Sequence, residues 1–354
     1  MMAFSLKPLR QQIIVITGAT SGIGLTTARM AARRGARLVL AGRSEGALIE
    51  LERELSRGGD RAVTVTADVG KPADVQRISR VARQMFGGFD TWINNAGVSM
   101  YGRLLDEPIE DMRRLFETNF WGLVYGSLEA ARYFKDRDQA GTIINVGSTL
   151  SDLALVLQGM YSASKHAVKA FTDALRMEVE MDHIPISVTL IQPGAIATPY
   201  SQHAKNYMKT EPTNPPPVYS PETVAKTILY CAENRERHVY VGAGGKGIGM
   251  MGYYAPRLAD LLMETLFARQ QQSDRPPVRP RRDNALDRPS GDLRQRGDYQ
   301  GHVSESSLYT TASLHPMLTG AALVGAGLAI KTLWSSKHHS ERRQRAEGAR
   351  GVDH

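Results

Sequence analysis

The sequence predicts a doubly wound α/β fold: a parallel sheet with helices on both faces, built as one catalytic domain with a carboxy-terminal extension. Three observations carry that expectation. Strand-like and helix-like stretches alternate from Ile13 to about Val241. Several of the strand-like stretches are unbroken Val/Ile/Leu runs, which suits strands covered on both faces rather than on one. A glycine-rich turn, Thr17-Gly18-Ala19-Thr20-Ser21-Gly22-Ile23-Gly24, joins the first strand to the first helix. The 354 residues suffice to bury a full core.

Taken in order, the predicted strands are 13–17, 37–41, 62–66, 91–94, 142–146, 186–191 and 238–241. Helical patterns lie between them at 22–34, 45–57, 72–86, 109–134, 159–181 and 221–234. The first turn sits where a dinucleotide pyrophosphate is held. Gly18 permits the tight turn off the strand, Gly22 lets the backbone approach the phosphates, and Gly24 lets the helix pack close to the sheet. The helix start adds unpaired N–H groups and a partial positive charge. An ordinary βα turn has the same look, so the motif needs support from the rest of the chain.

That support begins at the second strand, which ends Ala41-Gly42-Arg43. An acidic residue near this point binds the ribose 2′-OH of NAD; here Gly42 carries no carboxylate and Arg43 follows at once. A guanidinium pairs with a phosphate, so the local chemistry favours NADP, with NAD the other candidate. Asp68-Val69, after the third strand, suits the adenine: a carboxylate for its amino group and an apolar cover for its ring. Asn95-Ala96-Gly97 closes the fourth strand with small residues suited to close approach.

Farther on, the strand ending Val146-Gly147 leads to Ser148, and thirteen residues later comes Tyr161-Ser162-Ala163-Ser164-Lys165. Tyr161 and Lys165, four apart, share one face of a helix. A nearby ammonium favours the phenolate and so lowers the tyrosine pKa towards the range of a general acid/base. Such a pair alone is common on helix surfaces; after Ser148 and a dinucleotide turn it becomes specific.

With these residues in place the chain resembles the single-domain branch of the short-chain dehydrogenase/reductase family, a Rossmann fold. The motifs that carry the resemblance are Thr17 to Gly24, Asn94-Asn95-Ala96-Gly97, Asn119 in Thr118-Asn119-Phe120, Ser148, Tyr161-x-x-x-Lys165 and Pro193-Gly194, over roughly residues 11–241. The resemblance implies that Tyr161 exchanges the proton with the carbonyl or alcohol oxygen and that Ser148 hydrogen-bonds the same oxygen. It implies that Lys165 binds the nicotinamide ribose and depresses the Tyr161 pKa, and that Asn119 positions a water in a relay to Lys165. It places Pro193, Gly194, Ile196 and Thr198 against the nicotinamide carboxamide, and implies a homodimer or homotetramer built on helices 109–134 and 159–181.

The apolar lip Leu150–Leu157 and a proline-containing lid, Tyr200–Tyr219, suggest a small apolar alcohol, aldehyde or ketone as substrate. His203 within the lid reads as a surface residue. The catalytic domain is assigned to residues 1–269, including a helix over 256–269. Residues 270–312 are polar, rich in arginine and proline, and read as a disordered basic linker. Residues 313–336 form a hydrophobic helix, 314–334 being a candidate membrane anchor, and 337–354 a basic tail.

The single cysteine, Cys231, excludes a disulfide framework and a cysteine-built metal site, and fits a reducing, cytoplasmic location. Residues 1–9 are too short for a signal peptide. The net charge of +8 collects in 275–296 and beyond 331, so it does not argue for nucleic-acid binding. No metal is expected. The rival reading is a scaffold or redox sensor that binds the cofactor without turnover; intact Ser148, Tyr161 and Lys165 weigh against it. A serine hydrolase is disfavoured, because no Gly-x-Ser-x-Gly surrounds Ser148.

Overall fold

Seven parallel strands form the centre of the computed structural model, which describes residues 4–57, 59, 61–137, 139–277, 283–315 and 319–320. They are β1 (Ile13–Thr17), β2 (Arg37–Gly42), β3 (Ala62–Thr66), β4 (Thr91–Asn94), β5 (Gly141–Val146), β6 (Ile186–Pro193) and β7 (His238–Val241). Their spatial order is β7-β6-β5-β4-β1-β2-β3. The chain winds outward from β1 in one direction to β3, then starts again at β4 on the other side of β1. In register, Ile14 lies opposite Leu38 on one side and Thr91 on the other. Every residue of β1, β5 and β6 is buried, as continuous apolar runs require when both faces are covered.

The helices are α1 (Gly22–Arg33), α2 (Glu45–Leu55), α3 (Pro72–Phe86), α4 (Ile109–Phe116), α5 (Gly122–Arg137), α6 (Gly159–Met181), α7 (Tyr200–His203), α8 (Pro221–Glu233), α9 (Gly245–Tyr254) and α10 (Pro256–Leu262). α1 packs on α8, and α3 on α5. Under α5 lies an aromatic knot in which Phe89 stacks on Tyr133 at 4.1 Å and meets Trp92 and Phe134 edge-on.

The helix expected over 109–134 runs without a break, α4 passing into α5 through a π turn, Glu117–Trp121, that contains Asn119. The extra residue of a π turn re-aims side chains that a regular helix would send elsewhere. Asn119 is thereby buried against Val98, accepting from its N–H at 2.8 Å and donating to its carbonyl at 2.9 Å. The helix expected over 256–269 starts as α10 and runs on through a π turn, Met263–Phe267, to Gln270.

The largest departure from expectation lies in the carboxy-terminal stretch. Residues 283–307, expected to be part of a disordered linker, run along the first of the chain's two compact units, which ends at Ser307. Val303–Ser304 pairs in parallel with Val218–Tyr219, which also pairs with Ala195–Ile196. Leu286 and Ala285 are buried with Val98, Met100, Met112 and Leu115. Low hydropathy argued for disorder; a few buried side chains and a line of backbone hydrogen bonds hold the stretch instead. From Leu308 the chain forms a second unit, of which Leu308–Leu314 is helical. Most of the candidate anchor 314–334 and all of the basic tail 337–354 lie outside the described residues. Among the described residues, no helix is long and apolar enough to cross a membrane.

Candidate active site

The turn after β1 is shaped by close approach. Gly18 and Gly22 have φ of +68° and +52°. A Cβ on Gly18 would lie 2.8 Å from the Ala96 Cα, and one on Gly24 would lie 2.2 Å from the Gly18 carbonyl oxygen. Two side chains brace the turn from below. Asn95 Nδ2 donates to the carbonyls of Thr17 and Gly18, at 2.9 and 3.1 Å, while Thr17 Oγ1 accepts from the N–H groups of Asn95 and Ala96. Ser21 opens α1 without capping it through its side chain. Among the described residues, no acceptor faces the N–H groups of Ile23 and Gly24. A Cβ-free cradle ending in free helix N–H groups fits a pyrophosphate.

A cavity of about 330 Å³ extends from this cradle along the carboxyl ends of the strands, at the point where the winding reverses between β1 and β4. Gly18, Ser21, Gly22 and Ile23 line it, as do Arg43, Asp68 and Val69 beyond β2 and β3. Asn95, Ala96 and Gly97 follow, then Ser148, Tyr161 and Lys165, then Pro193, Gly194, Ile196 and Thr198. Three of the residues predicted for the site stand behind its walls. Thr17 is a brace, Gly24 permits packing, and Asn119 holds Val98. Asp68 is partly occupied locally, its Oδ1 accepting from the Gly70 N–H at 3.0 Å. Arg43 Nη2 donates to the carbonyls of Ala285 and Arg288.

At the far end, Ser148 opens a short 3-10 turn, its Oγ accepting from the Leu150 N–H at 3.1 Å. Burial raises the Tyr161 pKa, and the neighbouring Tyr200 and Ser148 side chains pull in the other direction. Lys165, one turn along α6, is buried and donates to the Val146 carbonyl at 2.9 Å; its Nζ lies 5.6 Å from the centre of the Tyr161 ring. Burial pushes its pKa down to about 8. Lys165 turns its proton to a backbone carbonyl and is itself desolvated, so burial is the largest influence on both groups, raising Tyr161 and lowering Lys165.

Sequence reasoning missed several residues here. Tyr200 of α7 lies 5.5 Å, ring to ring, from Tyr161 and 6.4 Å from Tyr101, and all three line the cavity. The Tyr200 hydroxyl donates to Gln158 Oε1 at 3.2 Å, and Gln158 in turn donates to the buried Gln271. No spacing rule links these positions; only their place in the lid and lip pointed to them. His203, expected at the surface, lines the cavity and pairs with Asp292 at 3.0 Å.

Residues 12–209 match the short chain dehydrogenase family. An uncharacterized oxidoreductase, YxnA, of Bacillus subtilis (strain 168) is 46% identical over 321 residues, 90% of each chain. An 11-beta-hydroxysteroid dehydrogenase A of Sesamum indicum is 36% identical over 64% of this chain and 67% of its own. In architecture the chain is similar to a short chain dehydrogenase/reductase from Burkholderia phymatum solved in complex with NAD, with a TM-score of 0.60 and 24% identity over 77% of this chain and 99% of that one. The chain belongs to the short-chain dehydrogenase/reductase family. It is an oxidoreductase of CH–OH groups with NAD(P) as the acceptor.

Lys165 is held at a cost that pH reveals. Its folded pKa of about 8 lies below the ordinary lysine value of 10.5, so burying the charge opposes folding fully below pH 8 and progressively less as pH rises to 10.5. Lys165→Met should therefore stabilise the fold at pH 7 by roughly 1–3 kcal/mol. Denaturant titrations should show that gain shrinking between pH 8 and 10.5. An equal gain at every pH would contradict the assignment.

Proposed function

We propose that the chain is an NADP(H)-preferring oxidoreductase that interconverts an apolar alcohol with its aldehyde or ketone, Tyr161 acting as the general acid/base. The observation that carries this reading is that Ser148, Tyr161 and Lys165 line one end of the cavity together, Lys165 Nζ 5.6 Å from the centre of the Tyr161 ring, with the glycine cradle at the other end. The cradle, Arg43, Asp68, Val69, Asn95 to Gly97 and the segment Pro193–Thr198 would hold the dinucleotide. When bound, the nicotinamide supplies or accepts the hydride. In reduction, Ser148 donates a hydrogen bond to the substrate carbonyl oxygen, and Tyr161, kept protonated by burial, delivers its proton there. Lys165, charged below about pH 8, then stabilises the phenolate left on Tyr161. Asn119 acts from behind, fixing both polar groups of Val98 and with them the cavity wall after β4.

Arg43 supports the NADP preference: its Nη2 is held by two carbonyls, and its Nε and Nη1 have no acceptor among the described residues. Leu153, Leu155, Ile248, Met263 and Phe267 give the substrate end apolar walls, which favours a substrate of the hydroxysteroid kind that names the sesame relative. A homo-oligomer built on α4 to α6 belongs to the same reading, supported by Ile109, Trp121, Met177 and Met181 exposed there.

Four measurements test this. The purified protein is screened with NADPH against aldehydes, ketones and steroids. Tyr161→Phe should lower turnover by about 10²–10⁴-fold and change nucleotide affinity only a few-fold; a variant keeping more than about a tenth of the activity would sink the assignment. Arg43→Leu should shift preference from NADPH towards NADH by roughly tenfold, and a wild type that already prefers NADH removes the role given to Arg43. The reductive rate should fall above about pH 8 as Lys165 loses its proton, and Lys165→Arg should move that fall to higher pH. A wild-type profile flat to pH 10 contradicts it.

A further inference from the structure

Residues 284–297 cross the dinucleotide cavity, touching its parts in turn. At the Arg43 end, the Ala285 carbonyl accepts from Arg43 Nη2, as does the Arg288 carbonyl at 3.3 Å. Over the glycine turn, the Ser290 carbonyl accepts from Thr20 Oγ1 at 3.3 Å and the Arg294 carbonyl accepts from the Gly22 N–H at 2.9 Å. Gln295 Nε2 then donates to Thr26 Oγ1 on α1 at 2.9 Å. At the nicotinamide end, the Gly297 N–H donates to the Ala197 carbonyl at 3.1 Å. A Cβ on Gly297 would lie 2.5 Å from the Thr198 carbonyl oxygen, so the two segments fit without spare room.

The lid bank is tied as well. The Ala285 N–H donates to the His203 carbonyl at 2.7 Å, Asp292 pairs with His203, and the Arg294 guanidinium donates to Gln202. Ala285 and Ser290 line the cavity itself. These are not the contacts of a solvated tail. Backbone groups of the segment meet groups of the cradle one by one, yet the N–H groups of Ile23 and Gly24 stay free beside it for an anion.

We propose that residues 284–297 are a strap that completes the dinucleotide site: it orients Arg43 and the glycine turn for the bound nucleotide, and nucleotide enters and leaves only when the strap lifts. The proposal rests on the NADP(H) reading above. Its positioning part follows from the Ala285 and Arg288 carbonyls, which aim the Arg43 guanidinium. Its gating part follows from the ties to both banks, one on the glycine turn and one on the lid.

The test uses the full chain. Gly297→Leu drives the strap off the Pro193–Thr198 segment by bulk. The double variant Asp292→Ala/Gln295→Ala cuts two side-chain ties without adding bulk, and decides the matter should Gly297→Leu not fold. Hydrogen exchange at the Gly22 amide reports whether the strap has lifted; stopped-flow fluorescence reports NADPH dissociation; steady-state kinetics separate the KM for NADPH, the KM for the carbonyl substrate and kcat. The expected result is faster Gly22 exchange, with NADPH dissociation and its KM up about tenfold and kcat within about twofold. Faster Gly22 exchange with unchanged NADPH dissociation overturns the proposal and leaves the strap as packing. Tighter NADPH binding also overturns it, since the strap would then compete with nucleotide. Gly22 protection unchanged in both variants likewise argues against a strap that lifts. A wild type that binds neither NADPH nor NADH is a different result: it refutes the dinucleotide reading on which the proposal stands.

Discussion

The close approach of two backbone turns, one after β1 and one after β4, is the constraint on which the rest depends. The Gly18 and Ala96 backbones meet at a distance that leaves no room for a Cβ, and Thr17 and Asn95 lock them with reciprocal hydrogen bonds. This happens where the winding of the sheet reverses, so a crevice must open above it. Small residues on both sides keep the crevice narrow and lined with backbone. Every predicted site residue that reaches the cavity does so from the carboxyl end of a neighbouring strand, or from a helix that follows one.

Within that frame the reactive end is expensive. Tyr161 and Lys165 are buried, and burial disfavours both the phenolate and the ammonium. The groups are arranged so that each form has a partner. The Val146 carbonyl holds the ammonium, and the Tyr200 and Ser148 side chains favour the phenolate against burial. Buried, perturbed titratable groups of this kind cost stability and are common where chemistry is done.

The lid and the carboxy-terminal segment add a second scale of organisation. α7, the Val218–Tyr219 strand and residues 284–304 are tied by short stretches of pairing and by single side-chain contacts, not by a broad apolar face. Lys205 of the lid meets both Asp111 of α4 and Asp287 of the segment. Contacts of this kind order a chain while leaving it weakly held next to the sheet core, the balance expected of elements that move around a ligand.

The seven strands were legible because each is an apolar run bounded by turn residues, a pattern that needs only local information; β1, β3, β4 and β7 start and stop where the runs do. The cradle and the Ser148, Tyr161 and Lys165 set were legible for a similar reason, since their spacings are fixed by one turn or one helix. What the sequence left open depends on contacts between residues far apart in the chain. The π turn that buries Asn119 answers to Val98, and Tyr200 meets Tyr161 only through the lid. The arginine- and proline-rich stretch 283–307 has too little apolar surface to announce a fold. Its order comes from hydrogen-bonding groups on the cradle and lid, which exist only once the domain has formed. The sequence by itself determined the sheet, the cradle and the spacing of Ser148, Tyr161 and Lys165. Tertiary structure alone decided the burial of Tyr161 and Lys165 and the course of the segment 284–297 along the cavity, because burial and long-range hydrogen bonds have no periodicity to read.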